Sequence, residues 1–160
     1  MRLNDTTDVA LRVMIYAASM GGRRFTIDQI VAAYGLPRST VMKVVNALTQ
    51  GRFLTAQRGR SGGLNLSRAA EETSVGAIVR HVETDFGLVE CLRGGNGCAI
   101  TRACRLMAPL VEARAAFLAV LDKYSVADIA LTPTEFGLPG PDRLKPLPDR
   151  QAQDRHAQDH

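Results

Sequence analysis

Apolar residues recur at helical spacing through the first third of the chain and predict three helices. The first, from Asp8 to Met20, is apolar almost all round, which is typical of a helix buried in the core. The sequence Thr26-Ile-Asp-Gln29 has the form of a capping box and predicts the start of a second helix, which Gly35 ends. A third helix is predicted from Pro37 to Gln50. Its inward positions are Val41, Val44, Val45 and Leu48.

A β-hairpin is predicted directly after these helices. Phe53–Arg58 and Gly63–Ser67 are short strand-like runs, and the turn between them is rich in glycine and carries Arg60. Two short helices split by a tight turn form a helix-turn-helix, and the hairpin that follows occupies the place of a wing. We therefore predict a mainly α fold with a small β-hairpin wing, in which residues 1–70 form a winged helix-turn-helix DNA-binding domain.

The second half of the chain predicts a linker, a long helix and a tail. Residues 71–104 contain a short helix capped by Ser74, followed by a loop with all three cysteines. Residues 105–131 begin with a helix whose apolar positions repeat in steps of four and three, at 106, 110, 113, 117, 120 and 124. Such a seam needs a partner helix, so we predict a dimerisation helix followed by a final short helix. Residues 132–160 contain five of the seven prolines and a polar end, which predict a disordered tail.

Positive charge is concentrated in the first half of the chain. Between Arg2 and Arg68 there are ten Lys and Arg residues against three Asp and no Glu, whereas the remainder is net acidic. This distribution favours contact between the first half and nucleic acid. The sequence has no apolar run long enough for a membrane span and no apolar signal-peptide region at its N-terminus. We expect a cytoplasmic protein with no membrane association, because a reducing compartment leaves thiols unpaired.

Cys91, Cys98 and Cys104 lie within fourteen residues, in the loop CLRGGNGCAITRAC. Their odd number argues against a disulfide framework, and soft thiolates select zinc, Cu(I) or iron–sulfur clusters. The residues alone leave three interpretations open: reduced thiols without a metal, a zinc site, or a cluster. The loop lacks the CxxC pairs usual at zinc sites, and three thiolates leave a tetrahedral centre one ligand short. No nucleophile–base pair or phosphate-binding loop accompanies them, which predicts a regulator and not an enzyme.

Five stretches of the sequence together resemble the Rrf-type winged-helix iron–sulfur transcriptional regulators. They are the opening MRLNDTTDVALR, KVVNAL at 43–48, RGRSGG at 58–63, the cysteine loop, and AFLAVLDKYSVADI at 116–129. The residues VEC before the first cysteine and ACRL around the last are most similar to the NsrR branch of the family, the nitric-oxide-sensing repressors. The IscR branch has a histidine three residues after the last cysteine, where this chain has Met107.

The resemblance implies a cluster held by the three cysteines and by Asp8 of the partner subunit. The implied cofactor is a [4Fe–4S] cluster, with [2Fe–2S] as the alternative. A carboxylate is a harder and weaker ligand for iron than a thiolate, so the iron at Asp8 would be the one most open to nitric oxide. Asp8 equally suits the ordinary role of N-cap of the first helix. Between Cys91 and Cys98 there is one residue more than the family pattern has, so the loop must bulge at its glycines.

The winged helix-turn-helix predicts which side chains meet DNA. The exposed N-terminal turns of the third helix are predicted to reach base edges in the major groove; their polar residues are Arg38, Ser39, Thr40 and Lys43. In the wing, Arg60 is predicted to enter a narrow minor groove and Arg58 to contact phosphate. Weaker phosphate candidates are Arg2, Arg12 and Gln29.

The expected function is that of a homodimeric repressor that binds a palindromic operator in double-stranded DNA. Damage to the cluster by nitric oxide would release the operator. The alternatives are a regulator of the same family that responds to iron or iron–sulfur status, a thiol redox switch without a cluster, and an iron–sulfur electron-transfer protein. Salt-sensitive, sequence-specific DNA binding that nitric oxide abolishes would exclude the last of these.

Overall fold

The computed structural model describes residues 2–59, 62–92 and 97–136. These residues are mainly helical and include one two-stranded antiparallel sheet, as predicted. The α-helices and strands are α1 (Asp5–Ser19), α2 (Ile27–Tyr34), α3 (Arg38–Gln50), β1 (Leu54–Gln57), β2 (Gly63–Leu66), α4 (Val75–Val82) and α5 (Met107–Asp122). Single 3-10 turns lie at Ala70–Glu72 and Glu90–Leu92.

Helix α1 begins three residues before its predicted start, because Asn4 and not Asp8 is its N-cap. The Asn4 side chain accepts a hydrogen bond of 2.7 Å from the Thr7 backbone N–H. This bond satisfies one of the amide groups that a helix start leaves without an intrahelical partner. Asp8 lies in the first turn of the helix together with Asp5, where negative charge interacts favourably with the helix dipole.

The predicted helix-turn-helix is present in α2 and α3. Both hydrogen bonds of the Thr26–Gln29 capping box are formed, and Gly35 ends α2 with a left-handed φ of 62°. Pro37 is the N-cap of α3. The inward positions Val41, Val44, Val45 and Leu48 are all buried, as predicted.

The hairpin of β1 and β2, which we call the wing, is attached to the start of α2. Leu54 pairs with Leu66 and Gln57 with Gly63. Beyond this sheet, Phe25 and Leu64 exchange two backbone hydrogen bonds of 3.1 and 2.8 Å. The wing is therefore fixed to the chain segment just before the helix-turn-helix, and its orientation follows that of α2.

Helix α1 lies at the centre of the core, where it packs against both α3 and α4. Val13, Met14 and Tyr16 of α1 are almost completely buried. Helix α4 is also joined to the end of α3, where His81 Nε2 lies 2.9 Å from the Ala47 carbonyl oxygen. Gly51 permits this approach, because a Cβ there would lie 2.5 Å from the imidazole. His81 thus links α4 to the end of α3.

Helix α5 packs against α4 on one side and has no fully buried residue within the described chain. Arg80 of α4 forms a bidentate ion pair with Asp122, and Gly76 leaves the space that the Asp122 carboxylate occupies. Of the predicted seam positions, Leu110 and Phe117 are half-buried. The seam side chains of Leu106, Val120 and Tyr124 are exposed.

The packed structure continues into the first residues of the predicted tail. Residues 132–136 form a turn in which Phe136 contacts the core. The Phe136 ring lies edge-on to Tyr16 and Tyr34, with centroid separations of 5.5 and 5.7 Å. The remainder of the predicted tail, 137–160, lies outside the described residues. No helix in the described ranges is both long and apolar enough to cross a bilayer.

Candidate nucleic-acid interface and cysteine loop

The start of α3 presents the predicted base-contacting residues on the surface. Arg38, Ser39 and Lys43 are exposed and Thr40 is half-buried. Arg38 forms an ion pair with Asp28, which lies in the first turn of α2. The arginine at the first position of the helix is therefore held by the neighbouring helix of the same motif.

Two further residues of α3 share this exposed surface and were missed by the sequence analysis. Met42 is 44% exposed, and Asn46 is exposed one turn later. A thymine methyl group accepts apolar contacts, and an asparagine amide can bond two adenine edge atoms. The signal was available, since Arg38, Met42 and Asn46 follow one another in steps of four along the helix.

The remaining predicted DNA contacts lie in several different environments. Arg58 is exposed at the end of β1, and Arg60 lies outside the described residues. Arg2 pairs with Asp5 at 2.8 Å and Arg12 with Asp8 at 2.7 Å. The Gln29 side-chain oxygen accepts the Thr26 N–H of the capping box, so this residue also has a structural role.

The cysteine loop, residues 91–104, lies between α4 and α5. Cys91 is half-buried in the 3-10 turn, Cys98 is exposed, and Cys104 is half-buried just before α5. The Glu90 carboxylate accepts a 3.1 Å hydrogen bond from the Gly97 N–H, which draws together the two sides of the undescribed residues 93–96. All three cysteines are thiols.

The three cysteines of the loop are chemically suited to hold a metal ion or an iron–sulfur cluster, since they are soft ligands on one short segment with partial access to solvent. Within the described ranges, no three Cys, His, Asp or Glu side chains are grouped closely enough to hold a metal ion. Asp8 is therefore not part of such a group with the cysteines of its own chain. Its carboxylate is 54% exposed on α1 and is held by Arg12.

Glu83, the residue that follows α4, is a buried carboxylate. It is only 8% exposed, and its carboxylate accepts hydrogen bonds from the Asn4 N–H at 2.9 Å, the Asn4 side-chain amide at 2.7 Å and the Thr7 hydroxyl at 3.0 Å. The Asp85 N–H donates a fourth bond of 3.3 Å. Burial raises the pKa of Glu83, but these hydrogen bonds outweigh burial and hold the pKa below its usual value.

The three bonds from Asn4 and Thr7 join the start of α1 to the chain that leaves α4 toward the cysteine loop, and the bond from Asp85 lies within that chain segment. The two segments also line one surface pocket, to which Arg2, Asn4 and Phe86 contribute. No sequence signal could have located this contact, because its partners are separated by more than seventy residues. The arrangement places the helix that carries Asp8 in direct contact with the segment that precedes Cys91.

Comparison with known proteins identifies relatives over the same region. The sequence profile of the Rrf2 family, described as iron-dependent transcriptional regulators, matches residues 3–132. The HTH-type transcriptional regulator NsrR of Bacillus subtilis (strain 168) is 40% identical over 131 residues, which cover 81% of this chain and 90% of the relative.

Solved structures of transcriptional regulators share the fold. CymR, the global cysteine regulator of B. subtilis, superposes with a TM-score of 0.64 at 22% identity, over 81% of this chain and 96% of CymR. IscR of T. potens superposes with a TM-score of 0.63 at 18% identity, over 81% of this chain and 85% of IscR. At these identities the two structures bear on the fold alone, and they confirm the predicted winged-helix architecture.

Proposed function

Because this chain belongs to the Rrf2 family of transcriptional regulators, we propose that it is a homodimeric repressor whose operator binding depends on a nitric-oxide-sensitive iron–sulfur cluster. Membership of the family establishes the general function: the chain is a DNA-binding regulator of transcription and not an enzyme. The proposed repression, iron–sulfur cluster and response to nitric oxide are supported by the match to the family and to NsrR. The family match spans residues 3–132 and so includes both the winged helix and all three cysteines.

The proposed DNA surface consists of the exposed side of α3 and the wing. Arg38 and Lys43 supply positive charge at the start of α3, where a recognition helix enters the major groove. Asp28 orients the Arg38 guanidinium through their ion pair. Arg58 approaches phosphate and Arg60 the minor groove. Ser39, Thr40, Arg2, Arg12 and Gln29 complete the proposed contacts.

The proposed cluster ligands are Cys91, Cys98 and Cys104, with Asp8 of the partner subunit as the fourth. The bound cluster, [4Fe–4S] or alternatively [2Fe–2S], supplies iron that reacts with nitric oxide. The role of the chain's own residues is to hold and expose it. The partial exposure of the thiols and of the Asp8 carboxylate gives a small molecule access to this site.

Helix α5 supports the proposed homodimer. Val120 on the helix and the seam residues at its two ends, Leu106 and Tyr124, are exposed apolar side chains, and the helix packs against its own chain on one side only. A second copy of α5 would remove these side chains from water. Two winged helices related by a two-fold axis would then bind a palindromic operator.

A second candidate is regulation by iron or iron–sulfur supply on the same architecture. The description of the family as iron-dependent regulators favours it. The two candidates differ in the signal and not in the ligands. Operator occupancy in cells treated with nitric oxide, compared with cells starved of iron, therefore separates them.

The test is anaerobic purification with counting of iron and sulfide, followed by titration of operator binding with nitric oxide. We expect a coloured, iron-containing protein that releases operator DNA as nitric oxide is added. Replacing all three cysteines by serine should abolish the colour and the response, whereas Arg102→Gln, a change at an exposed residue of the same loop, should preserve both. Colourless, iron-poor protein that still binds the operator tightly would contradict the proposal.

A further inference from the structure

We propose that Glu83 is a positioning residue that transmits the state of the cysteine loop to the DNA-binding half of the molecule. We call the contacts of Glu83 with Asn4, Thr7 and Asp85 the Glu83 clamp. The inference deepens the proposed function and rests on it, because it assigns the physical connection between the sensing segment and the recognition helix.

The first argument is the position of the clamp in the chain. Glu83 follows the last residue of α4, and the chain continues from it to Cys91. On the other side of the clamp, Asn4 caps α1 and Thr7 precedes Asp8. Two segments implied in cluster binding therefore meet at one carboxylate: the cysteine loop, for the chain's own cluster, and the start of α1, whose Asp8 is implied for the cluster of the partner subunit.

The second argument is the route from the clamp to DNA. Helix α1 packs along α3, whose outer side carries Arg38 and Lys43. A displacement of the start of α1 relative to α4 therefore acts directly on the helix that supports the recognition helix. Packed cores change between discrete arrangements and do not deform continuously, so a small displacement at the clamp can alter the docking of α3 on DNA.

The third argument is the chemistry of the clamp. A carboxylate has two oxygens that only accept hydrogen bonds, and here each accepts two. No ion pair to Glu83 occurs in the described part of the chain, so the charge is stabilised by neutral donors alone. An amide in its place would direct an NH2 group at a backbone N–H in either orientation, that of Asn4 or that of Asp85. Glu83→Gln therefore disrupts the clamp with almost no change in side-chain volume.

The experiment measures operator affinity of the cluster-loaded and the cluster-free protein at one salt concentration. The ratio of the two affinities is the coupling between the cysteine loop and DNA. We expect Glu83→Gln to lower this ratio by about ten-fold. Glu71→Gln, which removes the same charge from an exposed position, should leave it unchanged. Glu83→Asp, which keeps the charge, should restore part of the ratio.

A purely structural role gives a different result. Glu83→Gln would then lower both affinities equally and leave the ratio at its wild-type value, which would overturn the proposal. As a readout that needs no cluster, amide hydrogen exchange in the first turn of α1 should be about ten-fold faster in cluster-free Glu83→Gln protein. Unchanged exchange would also overturn it.

The outcomes separate this inference from the proposed function. A wild-type ratio of one contradicts the proposed function, and the clamp with it, before any variant is compared. A wild-type ratio well above one that Glu83→Gln retains contradicts the clamp alone. If Glu83→Gln does not fold, Thr7→Val removes a single donor, and an unchanged ratio in that variant overturns the proposal.

Discussion

At the scale of single residues, the ionised form of Glu83 matches its hydrogen-bond partners. Three of the four are N–H groups, which only donate, and the Thr7 hydroxyl donates the fourth bond to the carboxylate. Burial raises the pKa of Glu83, and the hydrogen bonds from Asn4, Thr7 and Asp85 outweigh this effect, so the pKa lies below its usual value.

This environment predicts a specific acid sensitivity. The pKa of Glu83 in the folded chain lies below its usual value, so its stabilisation is complete above the unfolded pKa of about 4.3 and is lost as the pH falls through the folded pKa. We expect the melting temperature of cluster-free Glu83→Gln protein to fall less between neutral pH and about pH 3 than that of the wild type. Thermal denaturation monitored by circular dichroism measures this. A fall as large as that of the wild type, or an equal reduction in Glu71→Gln, would contradict the assignment.

The starts of α1 and α2 show what could be predicted from the sequence. The capping box at Thr26 is local, since both partners lie within four residues, and its prediction was confirmed. The N-cap of α1 was predicted at Asp8 because the apolar pattern begins there. The helix starts earlier because Asn4 is held by Glu83 from a distant part of the chain. The local sequence pattern cannot predict such a tertiary contact.

At the scale of elements, the proposed recognition helix α3 carries two kinds of side chain on one exposed surface. Lys43 is suited to phosphate or base contact by its charge, whereas Met42 and Asn46 are suited to base edges by their shape and amide group. The burial of the opposite side of α3 was predictable from its apolar period. The exposed side chains of its outer side were only partly predicted, because Met42 and Asn46 are neither charged nor hydroxyl-bearing.

Two substitutions in α3 should separate charge from base recognition. Lys43→Ala is expected to weaken binding to all sequences and to lower the magnitude of the slope of log affinity against log salt by about two, one for each subunit of the proposed dimer. Asn46→Ala is expected to cost roughly 1–3 kcal/mol for each half-site of the operator and to relax preference at one base pair in each half-site. Binding titrations over a salt series and a set of single-base operator variants measure both effects.

Lys123→Ala provides the control, since this lysine lies beyond α5 and away from the proposed DNA surface. A salt slope that Lys43→Ala leaves at the wild-type value would show that Lys43 makes no phosphate contact.

At the scale of the whole molecule, α5 is the described α-helix whose apolar side chains are least covered by its own chain, since none of its residues is fully buried. The structure covers only part of the seam predicted from the sequence. Leu110 and Phe117 are half-buried, while Val120 and Tyr124 remain 49% and 50% exposed. The period of the apolar positions is present in the sequence, but which of them a neighbouring helix covers depends on the docking of α4. The exposed remainder is the surface that the proposed second copy would cover.

Placing a charge on this surface should therefore prevent association. Val120→Glu is expected to raise the dimer dissociation constant by at least about ten-fold, because a carboxylate buried without a partner is strongly unfavourable. Sedimentation velocity over a concentration series measures the change. Ala119→Glu adds the same charge at an exposed position outside the seam and should have little effect. If the two variants have the same dimer dissociation constant, α5 does not form the dimer interface.

The docking of Phe136 has a consequence for where a protease could shorten this protein. Cleavage after Phe136 would leave its ring in place between Tyr16 and Tyr34. Cleavage only five residues earlier would remove the ring and open the aromatic cluster beside the first two helices to water. The C-terminal limit of a minimal fragment is thus set by one phenylalanine, which follows α5 near the end of the described residues.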